Sequence, residues 1–240
     1  MSAQTLFISD LHLDDSRPRI VELFESFLAG EAREAEALYI LGDLFETWIG
    51  DDDDSPLPAR VASTLKAAGD AGVPIHFIAG NRDFLLGENY ARRAGMTLLD
   101  DGTIVELYGT PTLLMHGDTL CTDDAAYLAF REQVRDPAWQ RQFLAQPLSA
   151  RRAFAQQARN ASREHTSQAT MAIMDVNQRA VETALRSANV ARVVHGHTHR
   201  PAIHDFQLDG AKAQRIVLGD WYEQGSVLRV TANAAELAGL

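Results

Sequence analysis

Seven short apolar runs, rich in Ile, Val, Leu and Phe, recur along the chain. Continuous runs of this length are typical of strands that are buried on both faces of a sheet. We predict strands at residues 5–9, 37–41, 75–79, 112–115, 191–194, 215–218 and 226–231.

Helical patterns separate the first three of these strands. Residues 19–28 place Ile20, Phe24 and Phe27 on one stripe, and residues 58–71 follow the same period. Apolar residues at this spacing predict amphipathic helices. A strand, a helix and a further strand in this order predict βαβ units with right-handed crossovers, and therefore an α/β fold.

The alternation of strands and helices stops after His116. Between residues 124 and 188 no run resembles a strand, and aromatic, Leu, Met and Val residues recur at helical spacing instead. We therefore predict a mostly helical insertion over residues 124–188, within a single domain that spans residues 1–240. The apolar positions of this insertion serve either ordinary packing or a ligand groove.

The formal net charge of −11 argues against a general affinity for nucleic acid, because that affinity depends on Lys and Arg that neutralise phosphates. Residues 131–163 are an exception, with seven arginines against two acids and a net charge of +5. This basic segment is either a solvated helix surface or a surface that faces anions. The run of four acids at 51–54 is either a solvated loop or a support for a neighbouring site.

Length and composition place the chain among globular proteins. Its 240 residues, 46% of them hydrophobic, are enough for one large domain. The single cysteine, Cys121, cannot form an internal disulfide, which is typical of a reducing compartment. The first residues lack the features of a secretory signal, and no run approaches the roughly 18 apolar residues of a spanning helix. We expect a cytoplasmic protein that is a monomer.

Five polar motifs each follow an apolar run, at the place where an α/β sheet forms its active site beyond the carboxyl ends of its strands. They offer carboxylates, imidazoles and a neutral amide, a mixed set of N and O ligands that suits manganese, iron, zinc or nickel. Asp43 can bridge two ions with its two carboxylate oxygens, while glycines such as Gly42 and Gly80 allow tight turns beside it. The seven candidate ligands for two divalent metals are Asp10, His12, Asp43, Asn81, His116, His197 and His199.

This ligand set predicts a chemistry. Two ions about 3.5–4 Å apart clamp a phosphoryl group and make hydroxide available from a bridging water, so we expect hydrolysis of a phosphorus–oxygen bond. Arg82 directly follows a candidate ligand, and we expect it to bind a phosphate oxygen unless it is merely solvent-exposed. Asp83 and Asp118 are expected to orient histidines. His195 either faces the substrate or ends its strand.

The ordered motifs Asp-x-His, Gly-Asp, Gly-Asn-Arg-Asp, His-Gly-Asp and Gly-His-x-His resemble those of the calcineurin-like metallophosphoesterases over residues 10–199. The resemblance implies a two-sheet αββα sandwich with a dinuclear metal site, in which the helical insertion is a cap. Around one metal it implies Asp10, His12, Asp43 and His199. Around the other it implies Asp43, Asn81, His116 and His197. We expect catalysis to depend on Asp43, Asn81, Arg82 and His116.

Longer strings are similar to those of one branch of this family, the UDP-2,3-diacylglucosamine diphosphatases of lipid A biosynthesis. They lie at residues 8–13, 42–52, 80–84, 173–177 and 195–201. The resemblance implies that water attacks the α-phosphorus of a lipid-linked nucleotide sugar, UDP-2,3-diacylglucosamine, and releases UMP and 2,3-diacylglucosamine 1-phosphate. It also implies two Mn²⁺ per chain and peripheral binding to the cytoplasmic face of the inner membrane.

The same resemblance implies a set of substrate contacts. They fall on Asn81, Arg82, Asp124, Tyr127, Ser162, Thr166, His195 and His197. Two positions depart from the pattern of the branch, because Thr166 and Ala169 stand where Asn and Lys are common. Without that Lys, a nearby arginine is the alternative contact for the phosphates or the sugar.

Two other functions stay open. One is a soluble nucleotide pyrophosphatase or phosphodiesterase of the same family. The other is a scaffold that keeps the fold for protein binding. The scaffold is the weaker hypothesis, because such a protein can dispense with metal ligands and none of the seven is missing.

Overall fold

Two β-sheets pack face to face, with helices on both outer sides. The computed structural model describes residues 3–168 and 175–240, and the side chains of all of these except 163–168. The layer between the sheets is apolar and combines Phe7, Leu41 and Ile78 from the first sheet with Leu114 and Val194 from the second. The predicted αββα sandwich is therefore confirmed.

The first sheet has six strands in the order β11, β10, β1, β2, β3, β4. Strands β1 to β4 run parallel, and β10 and β11 continue the sheet antiparallel. The strands are β1 (Thr5–Ile8), β2 (Ala37–Leu41), β3 (Ile75–Ile78), β4 (Met96–Leu99), β10 (Ser226–Val230) and β11 (Ala235–Gly239).

The second sheet has five strands in the order β5, β6, β7, β9, β8. The central strands β6, β7 and β9 are parallel, whereas β5 and β8 pair antiparallel at the two edges. The strands are β5 (Thr103–Leu107), β6 (Thr110–Met115), β7 (Arg192–His195), β8 (Ala202–Leu208) and β9 (Ala211–Val217).

Seven α-helices connect or cover these strands in the described residues. They are α1 (Pro18–Ala29), α2 (Pro56–Asp70), α3 (Glu88–Ala94), α4 (Ala125–Arg135), α5 (Pro137–Leu144), α6 (Leu148–Gln168) and α7 (Gln178–Ala188). The first two cover the outer face of the first sheet, where Phe24 and Val61 are fully buried. Proline in the first turn suits α1, α2 and α5, because the missing N–H has no helical partner there.

The parallel strands bring the polar motifs together. Since β1, β2 and β3 run in register, with Ile8 opposite Ile40 and Leu41 opposite Ile78, their carboxyl ends lie at one edge of the first sheet. In the second sheet, Met115 pairs with His195 at the ends of β6 and β7. The five loops that carry the motifs follow these five strands.

The seven predicted strands are all present within one to four residues of their expected bounds. Sequence reasoning missed β4, β5, β8 and β11 and the short helix α3. All four missed strands form sheet edges with partly exposed residues, so they lack the continuous apolar runs of central strands.

The helices of the predicted insertion over residues 124–188 differ in where they pack. In its described residues, α4, α5 and α6 follow one another after the second sheet's strand β6. Helix α7 buries Val181 and Leu185 against Leu113 and Val193 of the second sheet. It is therefore the outer layer of the sandwich on that side.

Arginines of the basic segment hold α4 and α6 to the sandwich. Arg151 is buried, donates to the Ile49 carbonyl at 2.6 Å and pairs with Asp52. Arg152 pairs with Asp53 and Asp54. Three acids of the run, Asp52, Asp53 and Asp54, thus anchor α6. Arg151 and Arg152 of the basic segment therefore face carboxylates of the same chain.

Candidate metal centre

The candidate ligands lie on loops with an unusual backbone. Asp10, His12 and Asp43 have φ values of 56°, 50° and 54°, and His197 and His199 have 68° and 56°. Residues other than glycine rarely adopt these left-handed φ values, so the values indicate a strained backbone. Such strain is concentrated in functional sites, where the surrounding structure maintains it.

Glycines allow two of these loops to touch. Gly42 has a φ of 89°, and a Cβ there would lie 2.5 Å from Nδ1 of His116. A Cβ on Gly80 would lie 2.5 Å from the backbone nitrogen of Asp43. Both contacts are too close for a side chain, so the expected role of these glycines in close approach is confirmed.

One group of side chains surrounds Asp10. Its Oδ1 atom lies 3.3 Å from Nε2 of His199, while Oδ2 accepts hydrogen bonds from the Ser9 hydroxyl and from the backbone N–H of His197. The Nε2 atom of His12 lies 3.4 Å from Nε2 of His199. Two imidazole nitrogens and a buried carboxylate oxygen thus converge on one point.

A second group surrounds Asn81. Its Oδ1 atom lies 2.9 Å from Nε2 of His116 and 2.9 Å from Nδ1 of His197. Asp43 joins the two groups, because its Oδ2 lies 3.7 Å from Nε2 of His12 and its Oδ1 lies 3.7 Å from Nε2 of His116. All seven candidate ligands therefore lie together, four in each group, with Asp43 shared.

This arrangement fits divalent cations. Oδ1 of Asp10 is buried and accepts no hydrogen bond within the described residues. Carboxylate and imidazole atoms within 4.8 Å of one another form two potential metal-binding sets that share Asp10, one with His12 and His199 and one with Asp43 and His116. Burial disfavours charge on His116, but Asp43 and Asp10 raise its pKa to about 9. The carboxylates thus attract positive charge to the site, and the mixed N and O donors suit first-row metals.

The predicted roles of Asp83 and Asp118 were wrong. Asp83 is fully buried and accepts hydrogen bonds from the backbone N–H groups of Leu44 at 2.7 Å and Gly80 at 2.8 Å. It therefore shapes the backbone beside Asp43, not a histidine. Asp118 accepts hydrogen bonds from the Tyr127 hydroxyl at 2.6 Å and from Nε of Arg131 at 2.7 Å, so it holds α4.

Other residues support the histidines, and sequence reasoning missed three of them. An oxygen of Glu46 lies 2.8 Å from Nδ1 of His12. Asp220 lies 3.8 Å from Nδ1 of His199, and the Tyr222 ring stacks on the His12 ring with centroids 5.2 Å apart. Glu46 lies inside residues 42–52, one of the strings that carry the family resemblance, so the sequence did hold a signal for it. Asp220 and Tyr222 follow a predicted strand, but no ligand spacing marked them.

The expected substrate contacts lie at different depths. Arg82 is half-buried beside Asn81, and its buried Nε has no hydrogen-bond partner within the described residues. The Tyr127 ring lies 5.9 Å from the His197 ring, and Asp124 caps α4 by accepting the backbone N–H of Tyr127. Arg82 and Tyr127 therefore border the second group of ligands, whereas Asp124 caps its own helix.

For three further residues, the structure gives less support to the expected contact with substrate. Ser162 is half-buried on α6. His195 is fully buried at the end of β7, with Nδ1 2.9 Å from the Gly196 carbonyl, so its position does not support a substrate contact. The side chain of Thr166, together with Ala169 and the motif residues Ile173 and Met174, lies outside the described residues.

Comparison with known proteins decides the family. A family model described as calcineurin-like phosphoesterase matches residues 3–201. The chain belongs to the calcineurin-like phosphoesterase family. Membership confirms the expected class of enzyme, a metal-dependent hydrolase with a dinuclear centre, and the seven ligand positions lie within the matched residues.

Relatives cover the whole chain. It is 58% identical over 240 residues to a UDP-2,3-diacylglucosamine hydrolase from Xanthomonas oryzae pv. oryzae (strain PXO99A), with 97% of each chain covered. A protein of the same name from Stenotrophomonas maltophilia (strain K279a) is also 58% identical, again with 97% of each chain covered. The solved structure of an archaeal phosphodiesterase shares the fold, with a TM-score of 0.50 at 15% identity and 99% of each chain covered.

Among residues 3–168 and 175–240, no helix is both long and apolar enough to cross a bilayer.

Proposed function

We propose that this phosphoesterase hydrolyses UDP-2,3-diacylglucosamine to UMP and 2,3-diacylglucosamine 1-phosphate. The observation that carries the proposal is the 58% identity, over 97% of both chains, to hydrolases named for that substrate. The complete ligand set supports the same chemistry, because a diphosphate linkage is a substrate for two-metal hydrolysis.

The two ligand groups would hold one divalent ion each. Asp10, His12, Asp43 and His199 would hold the first. Asp43, Asn81, His116 and His197 would hold the second. Such ions polarise phosphoryl oxygens and lower the pKa of a bound water. The oxygen and nitrogen donors suit Mn²⁺, which we propose as the metal.

The residues of the chain itself bind and orient the diphosphate. The Nε of Arg82, which has no hydrogen-bond partner within residues 3–162 and 175–240, can donate to a phosphate oxygen and stabilise negative charge as water attacks the α-phosphorus. The bond from that phosphorus to the bridging oxygen breaks, and the lipid phosphate leaves. Tyr127, held by Asp118 and beside His197, is placed to contact the sugar or its phosphate.

The two arms of the substrate lie on opposite sides of the centre in this proposal. Helices α4 to α6 are the cap for the acyl chains, since Phe130, Leu144 and Phe154 expose 37–40% of their surface there. A groove of about 680 Å³ lies beside the first ligand group, lined by Asp220, Tyr222 and others, and would take the nucleotide. The exposed apolar residues of the cap would also contact the inner membrane.

The decisive test uses purified protein with Mn²⁺, the diacylated UDP-sugar and water labelled with ¹⁸O. We expect UMP to form and to carry the heavy oxygen, since water attacks the α-phosphorus. Asp43→Ala, which removes the shared ligand, should abolish the reaction. Label in the lipid phosphate would contradict the direction of attack. Preference for UDP-sugars without acyl chains would favour the soluble pyrophosphatase instead.

A further inference from the structure

Glu46 lies between a candidate metal ligand and the cap. It follows β2 on the loop beyond Asp43 and is 9% exposed. Its Oε2 atom lies 2.8 Å from Nδ1 of His12, and its Oε1 atom pairs with Arg159 of α6. Arg159 also donates to the Thr47 hydroxyl at 3.4 Å. One carboxylate therefore touches both a histidine of the first ligand group and a helix of the cap.

The contact with Glu46 bears on how His12 is presented, because Oε2 of Glu46 and Nδ1 of His12 are both buried and neither has another hydrogen-bond partner within the described residues. A carboxylate next to Nδ1 favours the tautomer with the proton on that nitrogen, which leaves the Nε2 lone pair free. The Nε2 atom of His12 is the one that faces His199 and Asp43. Glu46 thus favours the form of His12 that can bind a metal.

Arg159 fixes Glu46 in turn. Its side chain is 17% exposed and that of Glu46 is 11% exposed, so water screens this ion pair only weakly. If Arg159 moved away with α6, Glu46 would lose its partner and would no longer be held against His12. The position of α6 and the orientation of His12 are therefore coupled through the side chains of Arg159 and Glu46.

Helix α4 has similar contacts with the second ligand group. Arg131 pairs with Asp118, two residues after His116, and Arg135 donates to the carbonyl of Gly80, the residue before Asn81. These contacts reach the backbone or a neighbour of a ligand. The Glu46 contact reaches the imidazole of a ligand itself, and we therefore base the inference on it.

We infer that Glu46 is a positioning residue that couples metal binding at the first ligand group to the docking of α6 through Arg159. The inference rests on the proposed dinuclear centre. Because coupling between two equilibria is reciprocal, a docked α6 should strengthen metal binding, and bound metal should hold α6 in place by the same factor.

The first experiment measures Mn²⁺ affinity by calorimetry without substrate. Glu46→Ala and Arg159→Gln should weaken binding at one of the two positions by about 10- to 100-fold, the usual effect of losing a partner of a ligating histidine. Arg159→Lys, which keeps the charge, should recover part of the loss. Arg152→Gln is the matched control, since it removes an arginine of the same helix that pairs with Asp53 and Asp54.

The second experiment measures hydrogen exchange of the α6 amides over residues 148–162, with and without Mn²⁺. In the unaltered chain and in Arg152→Gln, the metal should slow exchange, and in Glu46→Ala this effect should be lost. Thermal unfolding checks that each variant is folded, and Arg159→Gln carries the test if Glu46→Ala is not.

Unchanged metal affinity in folded Glu46→Ala or Arg159→Gln, or exchange in α6 that does not respond to metal, would overturn the inference. Neither measurement involves substrate. A protein that shows the coupling but does not cleave the UDP-sugar would refute only the proposed function. One that cleaves it without the coupling would refute only the inference.

Discussion

At the scale of single residues, the candidate centre combines a predictable set of side chains with a backbone that was not predictable. Residue types and motif order were enough to name all seven candidate ligands, which the fold brings together. Five of them have positive φ, and each such residue costs about 1–2 kcal/mol. Local preferences argue against that conformation, so only the packing of neighbouring loops explains it.

The supporting residues show the same limit. A histidine partner such as Glu46 or Asp220 is defined by where a side chain points, and motif spacing does not give that direction. The sequence leads us to expect that Asp83 orients a histidine, whereas its buried carboxylate accepts hydrogen bonds from backbone N–H groups. Burial raises the pKa of Asp83 to about 6, with Asp43 adding to the effect, which is a consequence of this enclosed position.

The first residue-scale prediction concerns Arg82. Arg82→Ala should lower kcat/KM by about 10²- to 10³-fold, because it removes a charged donor positioned for the developing negative charge. Arg82→Lys keeps the charge but not the planar two-point geometry, so it should recover only part of the rate. Steady-state kinetics on the diacylated substrate would show this. If kcat and KM were unchanged in Arg82→Ala, Arg82 would have no role in the reaction.

The second residue-scale prediction concerns Cys121, which is 3% exposed. Burial, followed by Asp118 and Asp175, raises the pKa of its thiol from 9.0 to about 12. The thiolate is the reactive form, so a thiol reagent at pH 8 should label the folded protein very slowly and the unfolded protein quickly. Because the folded pKa is the higher one, the thiol contributes stability below pH 9 that is lost as the pH rises toward 12. Rapid labelling of the folded chain at pH 8 would contradict this.

At the scale of elements, apolar runs identified the central strands, while edge strands and docking contacts were missed. Strand β8 consists of half-buried and exposed residues and has no continuous apolar run. The sequence left two interpretations of the basic segment, a solvated helix surface and a surface that faces anions. Its arginines Arg131, Arg151, Arg152 and Arg159 pair with carboxylates of the sandwich, contacts between residues that are distant in sequence.

The element-scale prediction concerns the docking of α6. Arg151 is 2% exposed and donates to two backbone carbonyls as well as to Asp52. Arg151→Ala should lower the free energy of unfolding by about 2 kcal/mol, because hydrogen bonds from a charged donor are lost and buried carbonyls are left without a partner. Arg152→Ala removes an exposed ion pair and should leave the free energy of unfolding close to that of the unaltered chain.

Chemical denaturation of both variants, followed by tryptophan fluorescence, gives these values. Similar stability for Arg151→Ala and Arg152→Ala would show that the buried arginine does not anchor the helix. Hydrogen exchange over residues 137–162 would then locate any local loosening that the global transition does not report.

At the scale of the whole molecule, the topology explains why distant motifs form one site. Two sheets pack so that the carboxyl ends of β1, β2, β3, β6 and β7 meet at the same edge, and each contributes one loop. The cap leaves the sandwich after β6, beside two of these loops, while the groove lined by Asp220 and Tyr222 lies at the loop between β9 and β10. Because the cap and the groove lie at different places around the site, the proposed substrate would bind with its acyl chains at the cap and its nucleotide in the groove.

The whole-molecule prediction concerns the acyl chains. Trp139, Phe143 and Phe154 form an aromatic cluster with ring centroids 4.9–5.6 Å apart, and Phe154 is partly exposed. Burial of each methylene is worth roughly 0.8 kcal/mol, so removing two methylenes from the acyl chains should lower kcat/KM by about tenfold.

A pair of variants separates this effect from general apolarity. Phe154→Ser should weaken the dependence of kcat/KM on acyl length, since it removes a ring from the cap surface. Ile203→Ser alters an equally exposed apolar residue on β8, outside the cap, and should leave the dependence unchanged. All rates are measured below the concentration at which the substrate forms micelles. If the diacylated substrate and its deacylated UDP-sugar gave the same kcat/KM, the helices α4 to α6 would be packed only for their own stability and would bind no acyl chain.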